Sequence, residues 1–253
     1  MAKQDRAIRT RHTILVAAAS VFEERGYQAA TITDILTTAG VTKGALYFHF
    51  QSKEDLAYGV MAAQGRHMGT VPPRTCKTQE VVDTVLLQTY RLQHDPMVRA
   101  GVRLAMDQQA TELDRGTSFQ EWSHGMTTLL TQAKQQQELL PHINPTDTAD
   151  LLVGAYAGIQ AMSQAITNYT DLDHRTTTLL THTLPNITHP PILTTLNLTP
   201  QRGKTTYNEI QQLHNKMDGG DGNDSGGNGG NSSNSSNSSN SGDNVGGTRL
   251  RTA

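Results

Sequence analysis

The stretch that decides the fold runs from Gly26 to Leu56 and reads GYQAATITDILTTAGVTKGALYFHFQSKEDL. Within it Ile32, Ile35, Leu36 and Ala39 recur at helical spacing, which predicts a short amphipathic helix. Thr31 stands at its N-cap, where a hydroxyl can take a backbone N–H of the first turn. Gly40 follows the last apolar position and supplies a tight turn. Thr42 caps a third helix, predicted over about Lys43 to Phe48, with Leu46 and Phe50 facing inward. Ser52, with Asp55 three residues on, has the form of a capping box with Asp replacing the usual Glu, and opens a fourth helix reaching about His67. Two short helices joined by a glycine turn are the parts of a helix-turn-helix, whose second helix lodges in the major groove of DNA.

Upstream, Ile14, Leu15, Ala18, Val21 and Phe22 share one face of a first helix, predicted from about Ala7 to Arg25 with Gly26 as its stop. This apolar run after basic residues is not read as an export signal, because Glu23-Glu24-Arg25 follows at once without a clear small-residue cleavage site. No run reaches the ~18 apolar residues that a membrane span needs. Downstream, Pro72, Pro73 and Cys76 mark a loop. Further helices are expected over about 79–94, 96–107, 119–137, 146–168 and 172–184, each bounded by Pro, Gly or Asn-Pro punctuation. With no strand alternation, the fold class is all-α: a three-helix helix-turn-helix domain over 1–52, a helical bundle over 53–217, and a Gly/Asn/Ser-rich tail over 218–253. The tail has too little apolar surface to offset its ordering entropy and is expected to be disordered.

Charge divides along the same boundary. Residues 1–53 hold seven basic groups (Lys3, Arg6, Arg9, Arg11, Arg25, Lys43, Lys53) against four acidic ones (Asp5, Glu23, Glu24, Asp34), on a chain whose formal net charge is −2. A basic head on an acidic body suits a protein that meets phosphate at one end. The single cysteine, Cys76, excludes an intramolecular disulfide and fits a reducing, cytoplasmic setting. Ten histidines could hide a catalytic site, yet there is no Gly-x-Ser-x-Gly, His-Glu-x-x-His, Walker or paired-cysteine motif. No enzyme activity, metal or cofactor is therefore expected.

On the third helix, Thr42-Lys43-Gly44-Ala45 would offer free helix-start amides and a lysine to phosphates and base edges, and Gly44 would let backbones approach closely. Tyr47, one turn after Lys43, could reach a phosphate, and Lys53 could grip the DNA backbone.

Residues 26–56 closely resemble the signature of the TetR family of repressors. Within them, VTKGALYFHFQSKEDLA (Val41–Ala57), with the opening MAKQDRAIRTR, is similar to the γ-butyrolactone receptor subgroup, the autoregulator-sensing repressors of filamentous soil bacteria. A looser match covers HDPMVRAGVRLAMD (His94–Asp107), Glu121-Trp122, LLPHINP (Leu139–Pro145) and GIQAMSQA (Gly158–Ala165). The resemblance implies a homodimer on pseudo-palindromic double-stranded operator DNA, released by a small γ-butyrolactone or butenolide-type effector. The bundle becomes the ligand-binding and dimerisation domain, its last long helices pairing between subunits. An orphan or efflux-type repressor answering to an antibiotic or another lipophilic ligand is the alternative. The family's DNA contacts carry over to Thr33, Thr42, Lys43, Gly44, Ala45, Tyr47, His49 and Lys53, with Arg6 and Arg9, ahead of helix 1, touching the backbone.

For the effector, the resemblance puts Trp122 in the pocket wall, where its ring could cover an acyl chain and its N–H donate to a carbonyl. Gln64, near the end of the fourth helix, is placed to read a lactone oxygen where head meets body. Tyr90, Met126, Leu130, Tyr156, Gln160 and Ser163 are further candidates by helical phase. Some relatives carry a hydroxyl residue before the Gly-Ile-Gln stretch; here it is Ala157, which leaves the ligand class open.

Overall fold

The computed structural model describes the backbone of residues 2–66 and 70–218, and side chains over 4–63 and 70–216. Among these residues the regular elements are all helical; the β contact is an isolated bridge between Leu139 and Thr188. The helices are α1 (Ala2–Ala29), α2 (Ile32–Ala39), α3 (Lys43–His49), α4 (Lys53–Arg66), α5 (Lys77–His94), α6 (Pro96–Met106), α7 (Gly116–Gln135), α8 (Pro145–Thr167), α9 (Leu172–Thr183), α10 (Pro190–Leu193) and α11 (Gln201–Asp218). No described helix is long and apolar enough to cross a membrane. The tail beyond Asp218 and the side chain of Gln64 lie outside the described residues.

Gly26, with φ of 76°, breaks α1 where the stop was expected, and one more turn follows it. The start differs: α1 begins at Ala2, ahead of Ala7. The extra turns are polar and carry no apolar stripe, but Asp5 in the first turn complements the helix dipole. Arg6 and Arg9 therefore stand inside α1, exposed, rather than ahead of it.

Two cores share one helix. The head core joins Ile14, Phe22, Ile35, Leu46 and Phe50 to Leu56 and Val60 of α4 and to Met97, Ala100 and Leu104 of α6. It thus extends beyond residue 52. The body core takes Val98 and Val102 from the opposite face of α6 and packs them with Val85, Met126, Leu152, Tyr156 and Leu180. Polar contacts fasten the same junction. Arg99 pairs with the Glu23 carboxylate and Arg103 donates to the Glu23 carbonyl. Tyr27 N–H donates to Asp107 (3.3 Å), and the Gln28 amide donates to the Gln109 carbonyl (2.9 Å).

α11 was not foreseen. Its buried face is Gly203, Thr206 and Ile210, so the spacing is helical but the residues are scarcely apolar. An ion-pair network holds it to α5: fully buried Asp83 accepts from Arg74 (2.7 Å) and Arg202 (2.6 Å), and Glu209 pairs with both arginines. Gly203 permits the close approach, since a Cβ there would collide with the Leu86 carbonyl and stand 3.1 Å from Tyr90 Cβ. Gly203→Ala should lift α11 from α5 and destabilise the chain by about 1–3 kcal/mol in urea unfolding, despite the higher helix propensity of alanine. An unchanged or raised midpoint would show that the helix is not held by this contact.

Candidate functional site

The presentation of α3 is fixed from its two ends and its underside. Thr31 and Asp34 form a full capping box at α2, and Arg25 pairs with Asp34 at 2.8 Å. The Thr31 hydroxyl foremost, then its amide and Arg25, hold the Asp34 carboxyl below the usual carboxylate range. Gly40, at φ 62°, turns the chain with its N–H on the Leu36 carbonyl. Thr42 then accepts the Ala45 N–H at 3.2 Å. Leu46 and Phe50 are buried under α3, with the Arg11 guanidinium 4.9 Å from the centre of the Phe50 ring. What remains outward is Thr42, Lys43, Gly44, Tyr47 and Phe48, with Ala45 and His49 half-buried at the margin. Lys43 Nζ lies 5.9 Å from the Tyr47 ring centre. Thr33 is exposed on the first turn of α2.

Two residues of this region depart from expectation. Lys53 reaches inward: its ammonium donates to the carbonyls of Tyr27 (3.0 Å), Gln28 (3.4 Å) and Ala30 (3.3 Å) and sits 4.4 Å over the Tyr27 ring. It caps the carbonyl end of α1, which a lysine at the start of α4 can do because the turn at Gly26 brings those carbonyls together. Burial, then the neighbouring Glu112 carboxylate, push the Tyr27 hydroxyl up to about 12. Phe48, a large aromatic that burial would normally claim, is 78 % exposed beside His49. Its phase opposite Leu46 and Phe50 was the available signal.

In the body, α7 and α8 bring most of the effector candidates together. Trp122 meets Tyr156 edge-on, centroids 5.1 Å apart at 85°. Met126 and Leu130 are buried behind them. The Tyr156 hydroxyl lies 3.0 Å from Thr89 Oγ1, itself 3.0 Å from Thr176 Oγ1; burial pushes the Tyr156 hydroxyl up. Gln160 donates its amide to Met106 Sδ at 2.8 Å. Trp122 Nε1 is buried and has no hydrogen-bond partner among the described residues. Thr89, Thr176 and Met106 were missed; Thr89 could have been noticed as a polar residue one turn after Val85 on the apolar stripe of α5.

Two candidates lie apart. Ser163 donates to Asp171 at 2.6 Å in a knot at the end of α8; that bond, with Thr167 and Arg175, holds the Asp171 carboxyl down at about 2. Tyr90 stacks on His94 (4.1 Å) and leans on Tyr207 of α11, lining a cavity of about 220 Å³ with Asp173 and Lys204. A larger cavity, about 440 Å³, opens at the head–body junction between Gly26, Arg103, Asp107, Gln164 and Tyr169.

Comparison with known proteins agrees with this arrangement. The family model for bacterial regulatory proteins, tetR family, matches residues 14–58. The A-factor receptor protein of Streptomyces griseus is 36 % identical over 193 residues, 76 % of this chain and 69 % of that protein. The structure of tylp, a tetr regulator from Streptomyces fradiae, superposes with a TM-score of 0.74 at 40 % identity, covering 81 % of this chain and 99 % of the other. A structure of a gamma-butyrolactone receptor described as ArpA-like superposes at 0.61 with 28 % identity, covering 82 % and 99 %. The chain belongs to the TetR family of bacterial regulatory proteins.

Proposed function

We propose that this chain is a repressor that binds operator DNA as a homodimer through α3 and releases it when a small lactone-type effector enters the body beside Trp122. The observation that carries the DNA half is Gly44. Glycine inside a helix is less favourable than alanine by roughly 1 kcal/mol. Among the described residues, nothing outside its own stretch of helix lies within 4 Å of where a Gly44 Cβ would stand, so internal packing does not require it. A close approach by an external backbone does, and Lys43 and Tyr47 beside it are suited to phosphate.

The effector half rests on Trp122. Its unpaired N–H next to the Tyr156 ring supports a ligand carrying a hydrogen-bond acceptor on an apolar frame, the chemistry of a lactone. The names of the receptor relatives point the same way. For the dimer, α8 leaves Leu151, Met162 and Ile166 exposed at helical spacing, with open space at Gly154 and Gly158 between them. A second copy of α8 and its neighbour would cover that stripe. Two α3 helices would then read successive major grooves about 34 Å apart, hence a pseudo-palindromic operator.

The direct test is a gel shift on DNA upstream of the chain's own gene, repeated with a panel of γ-butyrolactones and butenolides. Retention of the DNA, and its release by a lactone, are expected; lactones without effect would move the effector to another chemical class. Trp122→Phe should bind the same DNA and lose the lactone response.

Salt dependence separates the lysines. Lys43→Met should lower the slope of log K against log salt by about 1.8, one phosphate contact in each subunit of the dimer. Lys53→Met should leave that slope unchanged and instead lower the unfolding midpoint, because its ammonium serves internal carbonyls. Equal slopes for both variants would place Lys43 away from phosphate. Gly44→Ala should raise head stability by up to about 1 kcal/mol while weakening DNA binding; undiminished binding would mean that no partner approaches there.

A further inference from the structure

The repressor reading requires that a ligand deep in the body be felt at α3, and one contact is built for that transfer. Met106 is the last residue of α6, the helix that lies in both cores. Its sulfur receives the carboxamide of Gln160, which is 4 % exposed. Gln160 sits one turn beyond Tyr156, whose ring packs on the Trp122 that carries the orphan N–H. A thioether is a weak acceptor. A buried amide N–H whose partner among the described residues is sulfur, a turn away from an unsatisfied donor, has much to gain from an oxygen.

The other side of Met106 leads directly to the head. The next residue, Asp107, takes the Tyr27 N–H, and the Gln109 carbonyl takes the Gln28 amide. Tyr27 and Gln28 lie between the Gly26 break in α1 and the Thr31 cap of α2. The same short segment is held from below by Lys53.

Resting on the proposed repressor function, we infer that Gln160 reads the effector for the head: its carboxamide exchanges the Met106 thioether for an effector oxygen, and the freed end of α6 reseats the segment that carries α2 and α3. The Gln160–Met106 bond belongs to the DNA-competent arrangement; the Gln160–effector bond belongs to the released one. The effector must then present two acceptors, one to Trp122 and one to Gln160.

The exchange can be tested without any effector. The full-length protein is used with a duplex selected by the wild type from a random-sequence pool, and Trp122, the single tryptophan, reports on the body by its emission. Met106→Leu keeps the volume and removes the acceptor. Its affinity for the duplex should fall about five-fold, the low end of ordinary allosteric coupling, with an unchanged salt slope. Its free Trp122 emission should differ from wild type, and adding duplex should drive it back. Met106→Gln supplies a stronger acceptor and should bind at least as tightly as wild type. Loss of affinity in both variants alike would reduce Met106 to packing and overturn the inference, as would a Leu variant that binds normally with wild-type emission. A wild type that retains no duplex from the pool would overturn the repressor reading itself, and this inference with it.

Discussion

α6 cannot satisfy one core without engaging the other. Met97, Ala100 and Leu104 complete the head, while Val98 and Val102 complete the body. Moving α6 relative to either half exposes several apolar side chains, each worth about 1.5–3 kcal/mol when fully buried. Head and body are therefore not two beads on a string. Any ligand that changes the preferred seat of α6 does work on the head, and any duplex that fixes the heads does work on the body. Because packed interfaces have discrete arrangements, such a helix is suited to switching between two seats.

The head obeys a different requirement. A reading helix of seven residues cannot hold its own shape, since isolated helices of that length are unstable in water. Its order comes from outside: the Thr42 cap, the Gly40 turn, and burial of Leu46 and Phe50. Lys53 contributes by ordering the carbonyls ahead of α2 rather than by facing solvent. The outward residues are thereby left free of structural duties. That freedom is why Gly44, costly in a helix, is informative: the fold gains nothing from it.

How much of this was legible in the sequence followed from whether burial and apolar character coincided. α2, α3 and α5 to α9 could be placed because their buried positions are apolar at helical spacing, or their ends carry Pro, Gly or Asn. α11 could not, because Gly203, Thr206 and a buried ion-pair network do the work of a hydrophobic stripe. The same rule governs the sites. Outward residues of α3 were accessible by phase from Leu46 and Phe50. The inward reach of Lys53 was not legible, because a lysine at a helix start looks solvated until the turn at Gly26 gathers three carbonyls beneath it. Trp122, Met126, Leu130, Tyr156 and Gln160 assemble as their phases suggested, whereas Tyr90 turns to a face that exists only once α11 is in place.

The hydroxyls around Trp122 limit what can satisfy it. Thr89 Oγ1 lies within hydrogen-bond distance of the Val85 carbonyl, the Tyr156 hydroxyl and the Thr176 hydroxyl. The Tyr156 hydroxyl is thus engaged on the far side, and its ring faces the indole edge-on. The Gln160 amide nitrogen, a donor, lies on the Met106 sulfur. Among the described residues nothing accepts from Trp122 Nε1. A buried donor without a partner costs about 1–3 kcal/mol, a cost that a ligand oxygen removes and a hydrocarbon of equal size does not. A site of this kind discriminates strongly against analogues that lack the acceptor, because they leave the donor as they found it, and only weakly among acyl chains that differ by a methylene. Selectivity at Trp122 should therefore reside in a ligand's hydrogen-bond acceptor, with its apolar bulk a secondary matter.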